Sequence, residues 1–188
     1  MQRASAPLVA VFLYLALETL TPRPVTATQI RYRTAPELGR QSELVVRGKV
    51  VSVRSYWNDS HTKIFTETTI APDETYKGRA GGVVRLVQLG GTVGNTKVTV
   101  AGAVQWRQDE EVLLFLEPYL PGTYHVSGFS QGKFTIERDP KSGKALVRQA
   151  PAGGAELIGS PAAQSTAAPD PRGRLTLDEL LNQALGQR

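Results

Sequence analysis

The 188-residue sequence predicts a small all-β domain: a small antiparallel barrel or sandwich, which the resemblance given below makes OB-like, with an added hairpin, a short N-terminal helix, a disordered linker and a C-terminal helix. Three observations carry that prediction. About eight short β-branched or apolar runs follow one another between turn residues, which indicates an antiparallel barrel or sandwich. One run, Glu43–Trp57, is long and changes the phase of its apolar residues midway, as a strand serving two sides of a closed barrel does. Another, Val112–Leu116 (VLLFL), is apolar at every position, which marks a central strand covered on both faces.

In chain order, Met1 to Ala27 reads as a signal peptide. A charged start precedes the apolar run Pro7–Leu17, and Val25-Thr26-Ala27 offers the small residues of a cleavage site. Cleavage leaves no segment apolar enough to span a membrane, so the expected location is secreted or periplasmic. Residues 28–149 form the expected barrel domain, led by a short helix at Pro36–Ser42 behind Thr34 and Pro36.

In Glu43–Trp57, Leu44, Val46 and Val50 fall on one side of a period-2 ribbon and Val51 and Val53 on the other, with the bend expected at Gly48. Trp57-Asn58-Asp59-Ser60-His61 is a tip, and Lys63–Ala71 alternates as the returning strand. Further strands are expected at Val83–Leu89, Lys97–Ala101, Val112–Leu116, Thr123–Ser127, Lys133–Arg138 and Ala145–Arg148. Gly90–Asn95 reads as a glycine-rich turn between two of them. Composition shifts at Ala150. Residues 150–174, rich in Ala, Gly, Pro and Ser, read as a linker with little to bury. In residues 175–188, Thr176 and Glu179 form a capping box. Leu177, Leu180, Leu181, Ala184 and Leu185 make an apolar stripe at helical spacing. So short a helix is marginal alone; it docks on its own domain, docks on a partner, or frays.

Chemistry-bearing motifs are sparse. The sequence has no cysteine, which excludes thiol catalysis, cysteine zinc sites and disulfides. Formal net charge is +5, of which Arg3 and Arg23 against Glu18 place +1 in the leader. Basic residues are scattered, so no nucleic-acid patch is expected. His61 and His125 lie far apart, and a metal or acid–base site would need them to meet beside Asp59 or Glu67. No G-x-S-x-G occurs, and Gly90–Gly94 lacks the Lys-Ser/Thr of a phosphate cradle. Asn58-Asp59-Ser60 is a formal glycosylation sequon. No catalytic residue, metal ligand or cofactor is assigned.

Aromatics are the more informative set. Tyr56 and Trp57 sit at the tip of the first hairpin, and Trp106 precedes the turn before VLLFL. Brought to one barrel end, the three would form an apolar binding patch. The alternative is that Trp106 caps the barrel core and Trp57 is a lone surface aromatic.

The succession of a short helix, Ser42-Glu43-Leu44-Val45-Val46-Arg47-Gly48-Lys49-Val50, a Thr-rich second strand, Tyr76-Lys77-Gly78, a Gly-Gly turn and Gly102–Glu111 leading into VLLFL resembles uncharacterised exported bacterial domains. More distantly, over Ala35–Glu117, it resembles the OB-fold domain of netrin modules and tissue inhibitors of metalloproteinases. That resemblance implies a five-stranded barrel with binding loops and a protein-binding role. The inhibitors' N-terminal Cys-x-Cys is absent, so their metal-chelating mechanism does not carry over. The resulting expectation is an exported, non-enzymatic domain that binds an extracytoplasmic protein, a protease or envelope component. The alternative is an envelope hydrolase or carbohydrate-active protein in which carboxylates such as Glu67, Asp73 and Glu117 converge in the fold.

Overall fold

A computed structural model describes residues 28–159 and 175–186. The expected signal peptide lies outside the described residues, as does most of the expected linker. Eleven strands and two α-helices occur in it: β1 (Gln29–Arg31), α1 (Ala35–Gln41), β2 (Leu44–Trp57), β3 (Ile64–Lys77), β4 (Val84–Leu89), β5 (Gly91–Val93), β6 (Thr96–Val98), β7 (Glu111–Pro118), β8 (Tyr124–Val126), β9 (Lys133–Arg138), β10 (Ala145–Gln149), β11 (Glu156–Ile158) and α2 (Leu177–Leu185). No helix among them is long and apolar enough to cross a membrane.

The main sheet runs β10-β9-β7-β2-β3-β4-β8, and β8 also pairs with β7. That second pairing closes β7-β2-β3-β4-β8 into a five-stranded barrel. Its last seam is narrow, because parallel β4 and β8 meet only at Leu86↔Tyr124. Strand β7 explains itself from its sequence. Val112, Leu114 and Leu116 point into the barrel core with Leu44, Val46, Val50 and Ile70. Leu113 and Phe115 point into a second core with Leu38, Val45, Phe134 and the C-terminal helix. All five residues of VLLFL are fully buried.

The opening hairpin is bent by three register shifts, not one. Asp73 and Tyr76 are extra residues on β3, and Val51 is extra on β2. The shift beside Gly48 falls where the sequence places it. A Cβ on Gly48 would lie 2.3 Å from Ala71 O, so only glycine lets β3 cross there. The bulge at Val51 corrects the expected faces. Val53 lies directly opposite Thr68, which faces the barrel, so it returns to the side of Leu44, Val46 and Val50. The second core is served by Val45 instead; Val51 and Val53 are exposed.

Two further expectations change. Gly90–Asn95 is not one turn: Gly91–Val93 and Thr96–Val98 form a small separate hairpin, and the strand expected at Lys97–Ala101 never joins the barrel. The expected linker begins with ordered chain. Within it, β11 pairs in parallel with β1, Ile30 opposite Leu157.

Both helices carry complete capping boxes, Thr34 with Glu37 and Thr176 with Glu179. α2 docks on its own domain. Leu177, Leu180, Leu181 and Ala184 complete the second core, and Gly39 of α1 lets the helices touch: a Cβ there would stand 2.0 Å from Ala184 O.

Candidate binding cleft

Residues 99–110 carry the chain across the barrel between β6 and β7. Val104 is buried against the barrel core and Trp106 packs beside it. Gln88 pins this strap by both ends of its amide: Nε2 donates to Val104 O at 2.9 Å, and Val104 N–H donates to Oε1 at 3.2 Å. A side chain thus stands in for the ladder that β4 and β8 do not continue.

Beside the strap opens a cleft of about 280 Å³. Val87, Leu89, Val104, Tyr119, Val126 and Phe129 line it, with Arg33, Gln88 and His125 as its polar part. Tyr119 meets His125 edge-on, ring centroids 5.7 Å apart. Phe129 forms one wall, 52% exposed, with a φ of 63°. A phenylalanine in the left-handed region carries backbone strain of about 1–3 kcal/mol and holds only where its surroundings dictate it. Gln131 ties the turn that contains it to residues 31–33. Its Oε1 accepts from Arg33 N–H at 2.8 Å, and its Nε2 donates to Arg31 O at 2.9 Å and Gly128 O at 3.1 Å.

Under that wall lies a closed polar set. Arg33 Nη1 donates to Glu117 Oε1 at 2.6 Å and to Ser127 Oγ at 2.9 Å, while Ser127 Oγ donates to the same carboxylate oxygen at 2.6 Å. Burial pushes the Glu117 carboxyl up. Hydrogen bonds from Ser127 and Arg33, with the charges of Arg33 and His125, outweigh it and hold the group below the ordinary carboxylate value. Ser127 is fully buried and its proton goes to Glu117, whereas His125 turns Nδ1 toward Val126 O at 3.3 Å. This is not the nucleophile–base arrangement that acyl transfer needs.

The sequence-selected aromatics are dispersed. Trp57 stacks on His61 at the hairpin tip, centroids 6.3 Å apart, over a turn in which Asn58 Oδ1 accepts the Thr62 and Lys63 N–H groups, each at 2.8 Å. Tyr56 stacks on Phe65 at 6.2 Å, with the Arg54 guanidinium 5.5 Å from its ring. Phe65 in turn lies opposite Leu89, so this cross-strand row leads to the cleft wall. Trp106 is half-buried with Lys133 Nζ 4.9 Å over its ring. It lines a second cleft of about 280 Å³ with Val53, Ser55 and Thr66, to which Trp57 does not contribute. Glu67 sits 3.9 Å from Arg54, Glu117 is held by Arg33, and neither they nor Asp73 line either cleft. Among the described residues, no group of three or more His, Cys, Asp or Glu side chains could hold a metal.

Sequence reasoning missed Leu89, Tyr119 and Phe129. Two faint signals point to them: an aromatic beside Pro118 and Pro121, and one directly after Gly128. Comparison with protein-family models, with curated proteins and with solved structures finds no match.

Proposed function

We propose that this chain is an exported, non-enzymatic domain that binds another extracytoplasmic protein through the Leu89–Tyr119–Phe129 cleft. One observation carries the reading: Phe129 is held in a strained conformation that leaves half of a large aromatic surface in solvent beside an apolar cleft. Strain maintained without burial is what a preformed anchor for a partner requires, and aromatic anchors dominate protein interfaces. The Tyr56–Phe65 row extends the surface toward the hairpin tip. The arrangement of the polar groups agrees, since Arg33, Glu117 and Ser127 satisfy one another and leave no activated nucleophile. Kinship with netrin modules belongs to this proposal and rests on the five-stranded barrel.

The test is capture from an envelope extract and from a culture supernatant, with purified protein on a resin and chemical cross-linking. One protein should be enriched over bare resin, and Phe129→Ala should lower its recovery at least about tenfold while the melting temperature holds. Equal recovery by Phe129→Ala, or no enrichment from either source, refutes the reading.

A further inference from the structure

Strand β2 outruns its neighbour. Its ladder with β7 ends at Lys49, and the last backbone links on that side are Val50 N–H to Glu110 O at 3.0 Å and Asp109 N–H to Val50 O at 2.8 Å. From Val51 to Trp57 it has β3 on one side and, among the described residues, no strand on the other. Ladder alternation fixes which groups face outward. Asn58 N–H donates to Lys63 O at 2.9 Å, so the pairs that exchange bonds with β3 are Tyr56–Phe65 and Arg54–Glu67. The N–H and C=O groups of Val53, Ser55 and Trp57 therefore face the open edge. The β5–β6 hairpin lies against the barrel-side face of β2 and β3, where Gly91 approaches Ser55 and Thr66 and Thr92 N–H donates to Ser55 Oγ at 3.3 Å, but it forms no ladder with β2. Val51 and Val53 are 41% and 39% exposed. Val51 to Arg54 are exposed and Ser55 to Trp57 half-buried, and a strand edge of this length left unpaired recognises another extended backbone.

We infer that the occupant is a second copy of this chain, its β2 paired antiparallel with this one about a two-fold axis at Ser55. The edge is self-complementary in that register. Ser55 exchanges both backbone bonds with its counterpart, Val53 does so with Trp57, and Arg54 stands directly opposite Tyr56. Apolar–aromatic pairs and a cation over an aromatic ring are the favourable cross-strand pairs. Arg54 already makes the second of these within one chain, 5.5 Å from the Tyr56 ring. An axis one residue earlier would set two Arg54 side chains face to face, which is repulsive. The result is an isologous dimer with one sheet continuous across both barrels. It does not depend on the Phe129 cleft, which no residue from Val51 to Trp57 lines, although Tyr56 borders both surfaces.

The test is sedimentation equilibrium of the purified protein from micromolar to millimolar concentration, with Val53→Pro alongside. Proline removes an outward-facing N–H and leaves the bonds to β3 in place. A monomer–dimer equilibrium is expected for the wild type, with dissociation at least about tenfold easier for Val53→Pro, because two symmetry-related bonds are lost. Register is read by oxidising a mixture of Arg54→Cys and Tyr56→Cys chains, the protein being otherwise free of cysteine. The mixed pair should cross-link in preference to either chain with itself, since directly opposite residues of this kind lie about 4.5 Å apart at Cα, within disulfide reach. A wild type that stays monomeric, a dimer indifferent to Val53→Pro, or Arg54→Cys cross-linking chiefly with itself overturns the proposal. Circular dichroism of Val53→Pro matching the wild type shows that the edge, and not the fold, was altered.

Discussion

Lys133 Nζ, on a buried side chain, lies 2.6 Å from Oε2 of the largely buried Glu110, and it also donates to Gln105 O at 2.7 Å. Thr135 Oγ1 donates to the other carboxylate oxygen at 2.6 Å, and Trp106 lies over the ammonium. The pair rivets the 99–110 strap to β9. Removing one partner of a buried pair strands the other charge, so Lys133→Met should cost about 3 kcal/mol in urea unfolding, and adding Glu110→Gln should restore most of it. An unchanged midpoint for the single variant would show the pair to be idle.

Acid should weaken the domain for a related reason. Burial raises the Glu110 and Glu117 carboxyls, but their hydrogen bonds and neighbouring cations prevail and hold both below the ordinary value of 4.5. A depressed folded-state pKa contributes stability that is present above the unfolded value and lost as pH falls through the folded one. The melting temperature should therefore decline as pH drops below 4.5. Glu117→Gln should flatten that decline; a slope unaltered by the substitution would assign the acid sensitivity elsewhere.

Thr68 offers a gain in stability. Its Oγ1 is buried in the barrel with no hydrogen-bond partner among the described residues. Thr68→Val keeps the shape and removes the unsatisfied hydroxyl, and should stabilise by about 1 kcal/mol. Destabilisation by a similar amount in the same urea titration would mean that a bound water occupies the site.

Gly39→Ala separates local from tertiary effects. In an isolated helix alanine is favoured over glycine by about 1 kcal/mol. Here its Cβ would meet Ala184 O at 2.0 Å, so the helices must part. Net loss of about 2 kcal/mol and faster proteolysis within 177–185 are expected. A more stable variant would contradict the docking of α2 on α1.

Legibility in the sequence followed the range of the interactions. VLLFL declared its double burial because both faces of β7 are apolar, and the capping box of Thr176 with Glu179 is complete within four residues; at Thr34 only the N-cap was read, and its reciprocal partner Glu37 was missed. The phase change in β2 was visible, but alternation counting assumes one residue per step; the bulge at Val51 consumes an extra one and returns Val53 to the barrel side. Strand β11 was invisible, being three residues in an Ala- and Gly-rich stretch whose only pairing is with β1 at the other end of the domain. The cleft was invisible for the same reason. Leu89, Tyr119, Phe129 and Arg33 come from four separated segments, and no spacing rule joins them.

The docking of α2 has a temporal consequence. Leu38 and Val45 belong to the second core, yet four of that core's buried residues lie in the last helix, Leu177, Leu180, Leu181 and Ala184. A growing chain that has already produced the whole barrel still exposes the apolar underside of α1 and β7. The fold closes only once Leu177–Leu185 has emerged, so a chain held short of that helix remains pliant.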